Sequence, residues 1–87
     1  MSQTPSQTPS APAGWEFRDD ALHRSFSTDD FASALDLVDR IGALAEEANH
    51  HPDLELGWGR VVVHLTSHDA GGVTERDVAL AEQISAL

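Results

Sequence analysis

Apolar and polar side chains alternate along Trp15-Glu16-Phe17-Arg18, the pattern of a half-buried strand. Asp19-Asp20 then makes a turn. Leu22, Arg24 and Phe26 share one parity against His23 and Ser25, which predicts a second strand in hairpin with the first. Arg24 fits the apolar parity only through its aliphatic stem. The period changes after Ser27-Thr28-Asp29-Asp30, where Ser27 or Thr28 is expected to cap a helix and the aspartates to face its positive end. Phe31, Ala34, Leu35, Val38, Ile41, Gly42, Ala45 and Ala48 recur at three- and four-residue spacing, with Asp36, Asp39, Arg40, Glu46 and Glu47 mostly off that stripe. Gly42 on the stripe suggests a close approach to a sheet. Pro52 disfavours helical backbone at His51, so the helix is expected to stop at about Asn49 or His50.

Alternation returns in the second half. Leu54, Leu56 and Trp58 predict a short strand, and Arg60 to Thr66 a longer one, with Val61, Val63 and Leu65 on one face and Val62, His64 and Thr66 on the other. Asp69-Ala70-Gly71-Gly72 reads as a turn. Thr74-Glu75-Arg76-Asp77 opens a last helix with a capping-box pattern, followed by a stripe of Leu80, Ala81, Ile84 and Leu87. The order β-β-α-β-β-α implies an α+β two-layer sandwich: a four-stranded antiparallel sheet with the helices packed on one face. Residues 1–13, rich in Ser, Thr and Pro, are expected to form a flexible tail, leaving one domain over 14–87.

Composition narrows the function classes. The formal charge is -10, with 5 basic against 15 acidic residues. All five basic residues are scattered arginines, so direct binding to nucleic acid or an anionic membrane is not expected. No export signal or membrane-length apolar run is present, and there are no cysteines, which suits a cytoplasmic protein held together without disulfides. About 74 residues make a small core, which favours a homo-oligomer. Val62, on the sheet face away from the helices, is a candidate for burial against a second subunit.

The chemistry concentrates at two junctions. Glu46 precedes His50-His51-Pro52 at the helix end, and His68 follows the long strand beside Asp69. Imidazoles titrate near neutrality, so such a set is a proton-transfer device or a metal site. Adjacent histidines, one placed outside the helix by Pro52, rarely converge on one ion, and no HExxH spacing is present. A thiol or GxSxG nucleophile and a P-loop are also missing. General acid–base catalysis fits best. On this reading His50 stacks over Glu46 at i,i+4, and its carboxylate and the helix terminus both favour imidazolium. His50, His51 and His68 are thus candidate acid–base groups, while His23 and His64 read as structural or solvent-facing. Trp58 is expected in the core or an interface, or as a wall of the substrate pocket.

Taken together the spacing is specific: Glu46, three residues, His50-His51-Pro52, five residues, Trp58, nine residues, His68, then Asp77. With Gly14-Trp15, Ala21-Leu22-His23-Arg24-Ser25-Phe26 and Gly71-Gly72-Val73-Thr74-Glu75-Arg76-Asp77, it resembles the pterin-4a-carbinolamine dehydratases over residues 14–87. The resemblance implies dehydration of a 4a-hydroxytetrahydropterin to the quinonoid dihydropterin, in tetrahydropterin recycling, without metal or cofactor. It places the catalytic histidines at His50, His51 and His68 and the supporting acids at Glu46 and Asp77. It also implies a homodimer or homotetramer coupled to an aromatic amino-acid hydroxylase, or, alternatively, a non-catalytic dimerisation or regulatory protein-binding module of the same fold. Gly57 and Gly59 beside Trp58, and Leu54, depart from the family's larger or aromatic residues.

Overall fold

The computed structural model describes residues 10–87. Two strands, β1 (Glu16–Arg18) and β2 (Ala21–Ser27), are followed by helix α1 (Phe31–Ala48), strands β3 (Asp53–Gly57) and β4 (Arg60–Leu65), a 3-10 turn at His68–Ala70 and helix α2 (Glu75–Ser85). The sheet is antiparallel throughout, in the order β1-β2-β4-β3. The expected two-layer α+β sandwich is therefore present. Asp19 and Asp20 turn β1 into β2 with φ of 54° and 61°. Both values are left-handed, as the tight turn matching the natural twist of a two-residue hairpin requires.

Register sets the two faces of the sheet. Leu22 lies opposite Leu65, Arg24 opposite Val63 and Phe26 opposite Val61, while Leu54 and Leu56 of β3 face Val63 and Val61. These side chains point towards the helices, where Leu22, Val61, Val63 and Leu65 meet Ala34 and Ile41 of α1 and Leu80, Ala81 and Ile84 of α2. Arg24 keeps its place on this face because its guanidinium lies 4.5 Å over the Phe26 ring and donates to Ser85 Oγ at 2.9 Å. Ser85 Oγ also accepts the Trp15 indole N–H at 2.9 Å, which closes the edge of the core.

Several local expectations are corrected. The helix cap is Asp30, whose carboxylate accepts the Ser33 N–H at 2.8 Å; that backbone hydrogen bond holds its acid below the usual carboxylate value. Ser27 cannot serve, since β2 runs through it in pairing with Arg60, and Thr28 donates its hydroxyl to Asp30 O. Of the α1 stripe, Ala34, Ile41 and Ala45 are buried and Phe31, Leu35 and Ala48 are exposed. A Cβ at Gly42 would meet nothing within 4 Å, so this glycine marks no close approach. Trp58 lies outside β3, in the turn to β4 beside Gly59 (φ 72°), and is 74% exposed rather than in the core. The expected tail at 1–13 falls outside the described residues up to residue 9; beyond that, Ala11 packs against the core and Pro12 O accepts the Trp15 N–H. Among the described residues no helix is long and apolar enough to cross a membrane.

Candidate active site

The end of α1 decides where the adjacent histidines go. Asn49 takes the left-handed conformation (φ 52°, ψ 43°), the Asn49 N–H bonds to Glu46 O and the His50 N–H to Ala45 O. This is a Schellman stop, with Asn in the position where glycine is commonest. The reversal at Asn49 carries His50 across to the start of α2, where its Nε2 lies 2.5 Å from Asp77 Oδ1. His51 returns over the helix, its Nε2 2.5 Å from Glu46 Oε2. The expected Glu46–His50 pair is thus replaced: Glu46 serves His51, and the partner of His50 is Asp77. The i,i+4 geometry would have needed the helix to continue through His50.

Asp77 is a hub with no exposed surface. As the N3 residue of α2 it accepts the Thr74 N–H at Oδ2 (2.8 Å), while Thr74 Oγ1 accepts the Arg76 N–H in return, so the predicted capping box is present. Oδ2 also accepts the Ser67 hydroxyl at 2.7 Å. Burial alone would raise this carboxyl, but hydrogen bonds from His50, Ser67 and the Thr74 backbone, with the attraction of His50, outweigh it and hold the acid below its ordinary value. With its Nε2–H given to Asp77, His50 keeps Nδ1 for other partners.

Ser67 was missed in the sequence. Its signal was parity: Val61, Val63 and Leu65 face the core, and the next residue in that series is a serine, 1% exposed. A buried hydroxyl needs a partner, and here the partner is Asp77. Ser67 also fixes the 3-10 turn that follows, through reciprocal backbone bonds with Gly72 at 3.1 Å. His68 begins that turn and is exposed, and Asp69 is tied to α2 by Arg76 at 3.0 Å.

Topology brings these pieces to one end of the sheet. Asp53 pairs with His64, so the strand entered from His51-Pro52 starts where β4 exits to Ser67-His68. Asp77 joins the two through His50 on one oxygen and Ser67, the chain neighbour of His68, on the other. Trp58 is at the opposite end of β3, five residues or about 17 Å of extended strand from Asp53. It therefore does not wall a cleft at the His50–His51 corner of this chain.

The described residues form a small antiparallel α+β sandwich in which one imidazole, that of His50, is held by a buried carboxylate. The sequence profile of the family described as Pterin 4 alpha carbinolamine dehydratase matches residues 2–87, and the chain belongs to that family. Relatives bearing a pterin-4-alpha-carbinolamine dehydratase description include one from Thermomicrobium roseum, 49% identical over 85% of this chain and 80% of its own. Another, from Mycolicibacterium smegmatis, is 41% identical over 98% of this chain and 89% of its own. Among solved structures, a transcriptional coactivator/pterin dehydratase from Brucella melitensis superposes with a TM-score of 0.80 at 36% identity, covering 85% of this chain and 81% of that one. A pterin dehydratase-like protein described as a RuBisCO assembly factor in the alpha-carboxysome gives 0.67 at 25% identity, with 83% of each chain covered.

Proposed function

We propose that the protein dehydrates a 4a-hydroxytetrahydropterin to the quinonoid dihydropterin, with His50, His51 and His68 as its acid–base groups. The observation that carries this reading is the buried Asp77 shared between His50 and Ser67, within a family of pterin dehydratases. In the reaction the C4a–O bond breaks as a ring-nitrogen lone pair moves towards C4a. The departing hydroxyl takes a proton and leaves as water, and the ring nitrogen gives up its own proton. Nothing is oxidised or reduced, so acid–base groups suffice.

Asp77 suits His50 to the acid role. Its carboxylate holds Nε2–H, so the proton delivered to the hydroxyl comes from Nδ1, and the neutral Nδ1 can afterwards take one back. His68, exposed one residue beyond Ser67, serves as the second acid on the other face of the ring. His51, steadied by Glu46, orients the pterin and accepts the N–H proton. The physiological setting on this reading is tetrahydropterin recycling in the cytoplasm beside an aromatic amino-acid hydroxylase. A homo-oligomer is part of the same proposal. The exposed large apolar side chains of α1 and the β3–β4 hairpin (Phe31, Leu35, Leu56 and Trp58) offer it more apolar surface than the open sheet face around Val62. Light scattering should then return at least twice the 9.4 kDa chain mass, and a folded monomer at physiological salt would remove the oligomer from the proposal.

The test is direct turnover of purified carbinolamine. His50→Ala and His68→Ala should each lose about 10²- to 10⁴-fold in kcat with the fold intact, the usual range for a positioned acid or base. His51→Ala should raise KM more than it lowers kcat. Unchanged turnover in all three variants would overturn the proposal. A protein-binding role is the second reading, favoured by the assembly-factor description of one structural relative. A wild-type protein without turnover would leave that reading as the better one.

A further inference from the structure

The sheet face turned away from the helices carries a cluster outside the candidate active site. Glu16 of β1 lies opposite His23 of β2, His23 opposite His64 of β4, and His64 opposite Asp53 of β3. Four ionisable residues thus form one row across all four strands. The two rings meet edge to face with centroids 4.7 Å apart, and their Nδ1 atoms lie 2.5 Å from each other. Their outer nitrogens are also engaged: His23 Nε2 with Arg18 O at 2.9 Å, and His64 Nε2 with Glu55 Oε2 at 2.7 Å.

These partners fix the protons. The Arg18 carbonyl can only accept, so His23 Nε2 carries a hydrogen. The Glu55 carboxylate accepts as well, so His64 Nε2 carries another. Between the two Nδ1 atoms a hydrogen bond needs one proton; with none, two lone pairs face each other, and with two, both hydrogens occupy the same gap. We propose that His23 and His64 share a single Nδ1 proton, forming an imidazole–imidazolium pair of charge +1 that latches β2 to β4 and opens on acidification. A divalent metal does not fit as the resident cation at this spacing. Two nitrogens each about 2.0–2.1 Å from a zinc ion in tetrahedral geometry stand well over 3 Å apart.

The surroundings set the direction of the response. Glu16 and Arg18 of β1, Asp53 and Glu55 of β3, and Arg60 further along β4 are the charged groups on this face, and Arg24 reaches the hollow beside His23 from the sheet edge. Carboxylates stand at both ends of the row, so the pair holds its shared proton among counter-charges. A second Nδ1 proton makes two cations whose N–H groups point at each other, and the latch must part. His23 then turns towards Glu16 and His64 towards Asp53, their cross-strand neighbours. A hollow of about 310 Å³ lined by Glu16, Arg18, His23, Ser25 and Val62, among others, gives the His23 ring room to turn. This inference does not depend on pterin chemistry.

Nitrogen-15 NMR of the uniformly labelled chain is the test. Near neutral pH both Nε2 atoms should report as protonated, and a through-hydrogen-bond coupling should join the two Nδ1 nuclei. Lowering the pH towards about 5, across the range where imidazoles gain protons, should abolish that coupling while circular dichroism still reports a folded chain. His64→Gln should abolish it at every pH and leave the fold in place. No coupling in the wild type anywhere between about pH 5 and 8 would overturn the shared proton, and a coupling that survives acidification would overturn the latch. One equivalent of Zn²⁺ should leave the coupling intact; its stoichiometric loss would show a metal site instead.

Discussion

His50 and His51 are chain neighbours, each with its Nε2 2.5 Å from a carboxylate, yet their surroundings have little in common. The His50 and Asp77 side chains are 10% and 0% exposed, whereas those of His51 and Glu46 are 56% and 78% exposed. Distance alone therefore says little about what either pair contributes. In the buried pair water cannot replace a lost partner, so Asp77 must satisfy His50, Ser67 and the Thr74 N–H together. In the exposed pair, solvent and salt compete with the contact, and two side chains lose rotamer freedom to keep it. One pair is a fixed part of the fold, and the other is an adjustable surface contact at the same corner.

The largest test of that contrast is removal of the buried acid. Asp77→Ala leaves three donors facing a void and should cost about 3–5 kcal/mol, as breaking buried charged pairs does; chemical denaturation at neutral pH would measure it. Should that variant fail to fold, Asp77→Asn, which keeps one acceptor oxygen and loses the charge, should fold with a smaller loss. The acid side gives the same comparison a sign. The folded-state value of Asp77 is depressed, so its contribution is fully present above the ordinary aspartate value near 3.9 and disappears as pH falls through the lower folded value. The stability gap between wild type and Asp77→Asn should accordingly shrink below about pH 4. A gap independent of pH would mean that the charge of Asp77 is not what the hub relies on.

Next in size is Ser67→Ala. It removes one charge-assisted hydrogen bond while Thr74 still donates to the same oxygen, a loss of about 1.5–3 kcal/mol. Ser67→Thr, which keeps the hydroxyl, should recover most of it in thermal or denaturant unfolding. If Ser67→Ala were as stable as wild type, the hub would consist of His50 and the capping box alone. The smallest effect belongs to the exposed pair. Glu46→Gln should change stability by no more than about 1 kcal/mol, and the difference should fade in high salt. A larger, salt-independent loss would mean that His51 and Glu46 are held more like the buried pair than their exposure indicates.

Much of this was legible in the chain because the physical signals were local. Period-two runs gave the strands, the Asp19-Asp20 turn gave the hairpin, and Thr74-Glu75-Arg76-Asp77 gave the cap of α2, since each depends on neighbours within a few residues. The HHP spacing with His68 and Asp77 pointed to the family in which the chain was then found to belong. One error had a consequence at the site. The stop at Pro52 was readable, but the left-handed turn at Asn49 was not, and that one residue gave Glu46 to His51 and left His50 to Asp77.

Contacts made across the fold had no local trace. Ser67 meets Asp77 ten residues on, His50 meets it across 27, and His23 reaches His64 across 41. Sequence by itself determined which side chains were available and which segments were strands or helices, because backbone preference and side-chain alternation act over a few residues. Only the tertiary structure decided which histidine received the buried carboxylate and which two came to face each other. Those pairings follow from strand register and from the packing of α2 beneath the end of α1, and neither exists until the chain has closed on itself.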